Sequence, residues 1–126
     1  MIEKNEKFGI INELDTFDKK EQLLIIEEAS YRQPVMIFKH STICSTSALV
    51  LDRLERQWQG DEMGELTSYF LDLLKYRSIS NQISIDFNLR HESPQLLLVK
   101  LGRVTYHDSH FGIDYQKLVS HLEKGH

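Results

Sequence analysis

The sequence predicts an α/β domain with a central mixed sheet flanked by helices. Three observations carry this reading: the apolar run Val35 to Phe38 leads directly into a helical pattern, the strand-like segment Leu66 to Leu74 follows that helix, and two strand-like segments near the C-terminus flank the dipeptide Leu101-Gly102. Of the 126 residues 40% are apolar and 27% charged, a balance that suits one folded domain over residues 1–126 and not a disordered chain.

The elements follow in order. Phe8 to Leu14 is a candidate short strand. Asp18 with Glu21 three residues on makes a capping-box-like start for a helix through about Ser30, with Leu23, Leu24, Ile26 and Ala29 expected inward. Tyr31 to Pro34 ends it. Val35 to Phe38, β-branched and aromatic, is expected as a central strand buried on both faces. After a Ser/Thr-rich turn around Cys44, Ala48, Leu51, Leu54, Glu55 and Trp58 recur at helical spacing. Gly60 to Gly64 breaks that helix, and Leu66 to Leu74 reads as a second buried strand, closing a βαβ unit. Ser78 or Ser80 can cap a third helix with Ile79, Ile83 and Phe87 on one face, ending near Asn88. Gln95 to Lys100 and Arg103 to His107 around Leu101-Gly102 form a hairpin. Asp114 then caps a terminal helix carrying Leu118, Val119 and Leu122, with His121 and Lys124 in its last turn. The order β, α, β, α, β, α, β, β, α is that of a thioredoxin-like fold with a β-α extension in front.

Composition excludes several function classes. A net charge of −4 and a pI near 5.8 lack the basic excess of a nucleic-acid binder. The longest apolar runs, such as Leu23 to Ile26, are far shorter than the ~20 residues of a membrane span. Met1 to Lys7 precedes no long apolar stretch, so the expected compartment is the cytoplasm. The single cysteine, Cys44, makes no intrachain disulfide and leaves a thiol available for chemistry.

Chemistry is expected at that thiol. A cysteine at the first turn of a helix meets unpaired backbone N–H groups and the positive end of the macrodipole, which favour thiolate. Such activation increases the thiolate fraction while reducing its intrinsic nucleophilicity, so the larger gain is in departure. The run Cys44-Ser45-Thr46-Ser47 places Ser47 where a dithiol oxidoreductase keeps its resolving cysteine. No internal disulfide can close there, and the i, i+3 spacing allows the Ser47 hydroxyl to donate to the Cys44 sulfur. A second motif is His91-Glu92-Ser93-Pro94-Gln95, in which Pro94 stands at a strand entry. A cis Ser93-Pro94 bond would turn the chain so that the Ser93 backbone could pair with an extended substrate beside Cys44.

Phe38-Lys39-His40-Ser41-Thr42-Ile43-Cys44-Ser45-Thr46-Ser47, then His91-Glu92-Ser93-Pro94-Gln95, then Ser109-His110 and Ile113, resemble the monothiol bacilliredoxin (YtxJ-like) family of the bacillithiol system, from about Phe17 to Leu122. The resemblance implies a thioredoxin-like fold and removal of bacillithiol, or a related low-molecular-weight thiol, from mixed disulfides on proteins. Cys44 is then the nucleophile and Pro94 the cis-proline, with His40, Ser41, Thr42, Ser47 and Ser93 as candidate substrate contacts. The implied partners are S-thiolated proteins and the low-molecular-weight thiol as co-substrate, with no metal, no nucleic acid and no membrane. The family pattern has Thr before the cysteine and Pro-Ile-Ser after it, whereas Ile43 precedes and Ser45-Thr46-Ser47 follow here. The missing proline returns a backbone N–H beside the sulfur.

Competing chemistries are weaker. His40, His107 and His110 with Cys44 match no strong zinc spacing and read as surface histidines. Lys39, Arg77, Arg90 and His91 are candidate contacts for an anionic thiol, though each taken singly reads as an ordinary solvated charge. The alternative function is a non-catalytic thioredoxin-fold protein-binding domain in which Cys44 is incidental.

Overall fold

The computed structural model describes residues 9–10, 19–63 and 66–123. Its centre is strand β2 (Val35–His40), buried along its whole length. Met36 and Phe38 feed one core while Val35 and Ile37 feed another, which is the alternation of a strand covered by helices on both faces. Strand β3 (Thr67–Asp72) runs parallel beside it, with Val35 opposite Thr67 and His40 opposite Asp72. On the other side strand β4 (Gln95–Lys100) is antiparallel, with Lys39 opposite Gln95. Strand β1 (Gly9–Ile10) joins the outer edge of β3 and strand β5 (Arg103–Ser109) that of β4. The result is a five-stranded mixed sheet in the order β1-β3-β2-β4-β5. This is the predicted fold class.

Helices α1 (Lys19–Ala29) and α4 (Arg77–Asp86) cover one face, packing Leu23, Ile26, Ile79 and Ile83 on Val35, Ile37, Leu97 and Val99. Helices α2 (Ser45–Gln57) and α5 (Tyr115–Glu123) cover the other, with Val50, Leu54, Leu118 and Val119 on Met36, Phe38, Leu96 and Leu98. The β4–β5 turn has Leu101 at φ +53° and Gly102 at φ +79°, the pair of positive angles a two-residue hairpin needs. Ser30 anchors that turn, its carbonyl accepting from Leu101 N–H and its Oγ from Gly102 N–H, both at 2.9 Å.

Several element-level expectations are corrected. Leu24 is 50% exposed rather than inward, because Leu23 and Ile26 already define the buried stripe of α1 and Leu24 lies beside it. Ala48 is exposed and Ser47 takes the inward position with Val50 and Leu54. Strand β3 is only half-buried and stops at Asp72, before Leu73 and Leu74. The helix before Gly60 does end, at Gln57, but Gly60–Met63, expected only as a break, itself forms a short helix, α3. The Tyr115 hydroxyl accepts from Gln59 N–H at 2.9 Å and donates to Glu62 Oε1 at 2.6 Å, which ties that segment to α5. Helix α4 is capped by Tyr76, without a side-chain bond, rather than by a serine. The expected cap Asp18, the remainder of the Phe8 to Leu14 strand, Gly64 and Lys124 lie outside the described residues.

Candidate active site

Strand β2 ends at the sheet edge from which α2 departs, and the connection is short. Cys44 N–H donates to Ser41 O at 3.2 Å, closing a tight turn, and Ala48 N–H donates to Cys44 O at 3.2 Å, the first bond of α2. Cys44 is thus the N-cap, extended at φ −105° and ψ 116°, and its side chain makes no capping bond. The first-turn N–H groups that follow have no intrahelical partner, so the positive end of α2 lies beside the half-buried Cys44. Thr42 and Ile43 stand out from the turn, Ile43 at 82% exposure.

Ser47 does not serve the sulfur as its spacing suggested. It is fully buried, its Oγ accepts from Ser41 N–H at 3.1 Å, and it lies 2.7 Å from His40 Nδ1. The hydroxyl therefore braces the turn that presents Cys44. His40 is itself buried and tilted against Phe70 with 5.3 Å between ring centroids, so it belongs to the floor of the site.

The second motif comes to the same place through sheet register. Lys39 and Gln95 are the last paired residues of β2 and β4, so Pro94 and Ser93 continue alongside His40 and Ser41, the residues leading to Cys44. The Ser93-Pro94 bond is cis. Pro94 O accepts from His110 N–H at 3.0 Å. Among the described residues nothing hydrogen-bonds to the Ser93 main chain, and Ser93 Oγ is buried with no partner. Glu92 fastens the loop from outside: its Oε1 accepts from Ser109 Oγ and lies 3.6 Å from His110 Nδ1. His110 opens a single 3-10 turn (His110–Gly112) held to α2 by Arg53, whose Nη2 donates to Phe111 O at 3.2 Å and also to Ile113 O.

The charged candidates separate. Lys39 is not solvated but fully buried, and burial lowers its pKa to about 8. Its Nζ donates to Ser80 O at 3.3 Å, Ser84 Oγ at 3.3 Å and His91 Nδ1 at 3.4 Å. Desolvation first, then the charges of Lys39 and Arg77, lower the pKa of His91. Arg90 presents its carbonyl to Gln95 Nε2 at 3.0 Å. Among the described residues no group of three or more His, Cys, Asp or Glu side chains is arranged to hold a metal. Sequence reasoning missed two features, the buried Lys39 and the Glu92–Ser109–His110 fastening. The first had a signal in the strand alternation, which puts Lys39 on the same face as Val35 and Ile37.

Solved structures match this fold over nearly the whole chain. One, assigned as a candidate oxidoreductase with a thioredoxin fold, superposes with a TM-score of 0.73 at 25% identity, covering 96% of this chain and 97% of that one. Thioredoxin of Malassezia sympodialis gives 0.64 at 16% identity over 91% and 87% of the two chains, and spinach chloroplast thioredoxin f gives 0.65 at 15% over 98% and 92%. These last two speak to the fold alone. The family model of monothiol bacilliredoxin BrxC matches residues 15–118, a span that includes Cys44, the Ser93-Pro94 bond and the Ser109-His110 pair. With a thioredoxin fold and one cysteine capping the helix that leaves its central strand, the chain belongs to the monothiol bacilliredoxin family, and thiol–disulfide exchange is its general chemistry.

Proposed function

We propose that the protein removes bacillithiol, or a related low-molecular-weight thiol, from mixed disulfides on cytoplasmic proteins. The Cys44 thiolate attacks the low-molecular-weight sulfur of the mixed disulfide. That S–S bond breaks, its electron pair leaves with the protein sulfur, which takes up a proton, and Cys44 now carries the small thiol. A second small-molecule thiolate attacks the small-thiol sulfur of that adduct, forming a symmetrical small-molecule disulfide and returning Cys44 as thiolate. The observation that carries the reading is the pairing of a lone, partly exposed Cys44 at a helix N-cap with a buried serine at the third helical position. With no resolving thiol in the chain, release has to come from a thiol in solution.

Support for a groove comes from the Ser93 main chain, which is left without partners among the described residues next to the Cys44 turn. An extended substrate backbone can pair there as an added strand. No helix among the described residues is long and apolar enough to cross a membrane. Mass spectrometry of the protein taken from its native cell, with exchange quenched by acid, tests the identity of the thiol. The expected finding is bacillithiol on Cys44 after oxidative stress; a different adduct mass would replace bacillithiol with the thiol it names.

A further inference from the structure

Lys39 is the least expected side chain in the molecule. Lysine is among the residues least often fully buried, yet Lys39 lies inside the central strand with no exposure, and no carboxylate pairs with it among the described residues. An ammonium has three donors and no acceptor capacity. Its three contacts use all of them: Ser80 O and Ser84 Oγ on α4, and His91 Nδ1 on the loop leading to Ser93 and Pro94. Because Nζ can only donate, Nδ1 of His91 must accept, and the ring carries its proton on Nε2. Ser80 Oγ, 3.3 Å from the same Nδ1, then serves as a second donor. Besides Lys39, Arg77 at the start of α4 and the adjacent Glu92 are the charged groups acting on this ring.

The location gives the contact its meaning. Lys39 is one residue before His40, which meets Ser47 under the Cys44 turn, and it pairs across the sheet with Gln95, which follows Pro94. One amine thus joins the strand that delivers the nucleophile, the helix behind it and the loop beside it. We infer that Lys39 is a positioning residue for thiol exchange, holding the His91–Pro94 loop in register with the Cys44 turn through His91. This rests on the exchange reading above. Lys39 never touches the reacting sulfurs; it fixes the edge against which a protein disulfide lies. A small alkylating reagent needs no such edge.

The test uses wild type, Lys39→Met and His91→Ala with a bacillithiolated test protein as substrate. Loss of an interaction that holds substrate equally in ground and transition states raises KM and leaves kcat. The expected result is a KM about fivefold higher in both variants, with kcat and the rate of Cys44 alkylation by iodoacetamide within about twofold of wild type. His91→Ala removes the acceptor at an exposed position, so it carries the test should Lys39→Met fold poorly. Nitrogen-15 NMR gives a reading independent of turnover: in wild type the His91 ring should be the Nε2–H tautomer, and Lys39→Met should relax that preference. Wild-type KM in both variants would overturn the inference while leaving the exchange reading intact. A wild-type protein inert toward the substrate would overturn the exchange reading and this inference with it.

Discussion

Ser47 stands where a dithiol enzyme would hold its second sulfur, and its hydroxyl is engaged below the turn rather than beside Cys44. Ser47→Ala leaves the Ser41 N–H buried without an acceptor, which costs about 1–3 kcal/mol; thermal unfolding should show a lower Tm, while exchange persists because no resolving thiol is lost. Its position was legible in the sequence, but its direction was not, since i, i+3 spacing gives a shared helix face and not a rotamer. Lys39 was misread for a different reason: composition places lysines in water, and only the strand alternation argues otherwise. Its pKa is about 8 when folded against an ordinary 10.5, so between those values the unfolded chain binds the proton more. Stability is therefore reduced below pH 8, by on the order of 3 kcal/mol, and recovered as the pH rises toward 10.5. Lys39→Met removes this titration, so its stability should lack the rise that wild type shows between pH 8 and pH 10. Urea titrations of both proteins at pH 7 and pH 10 check this, and an equal rise in the variant would contradict it.

At the scale of elements, what could be read was what the side chains announce locally. Asp114 signals the start of α5, and its Oδ2 accepts from Lys117 N–H at 3.1 Å, as an N-cap should. Asp114→Ala is expected to cost about 1 kcal/mol, measurable as a shift of the urea midpoint. Helix α4 was placed correctly but given the wrong cap, because it starts at Tyr76 with backbone geometry and no side-chain bond. The buried face of α2 includes Ser47, which hydrophobic periodicity does not see because hydrogen bonds rather than apolar surface hold it inward. Links between elements were invisible. Nothing in the order of residues shows that Arg53 on α2 reaches the carbonyls of Phe111 and Ile113. Arg53→Ala should release the His110–Gly112 turn, raising amide hydrogen exchange from His110 to Ile113 while α2 itself stays protected.

Across the whole molecule the architecture follows from two short apolar strands. Val35–His40 and Gln95–Lys100 are buried along their full lengths, and a strand with no solvent-facing side must take helices on both faces. That reasoning recovered the α/β class and the order of elements, while the half-buried β3 was overestimated because its strand-forming residues do not reveal how thinly its outer side is covered. Leu97, fully buried in the core beneath α1 and α4, is central enough that Leu97→Ala should cost about 2–5 kcal/mol. The same sheet brings the Cys44 turn and the Ser93-Pro94 segment side by side, two stretches far apart in sequence. If this junction is an exchange site, all turnover passes through one sulfur. The most direct measurement is the rate at which a bacillithiolated test protein regains its free thiol with wild type, Cys44→Ser or no protein, in the presence of bacillithiol. Wild type should accelerate recovery and Cys44→Ser should give the rate seen without protein; acceleration by Cys44→Ser matching wild type would show that exchange does not pass through Cys44.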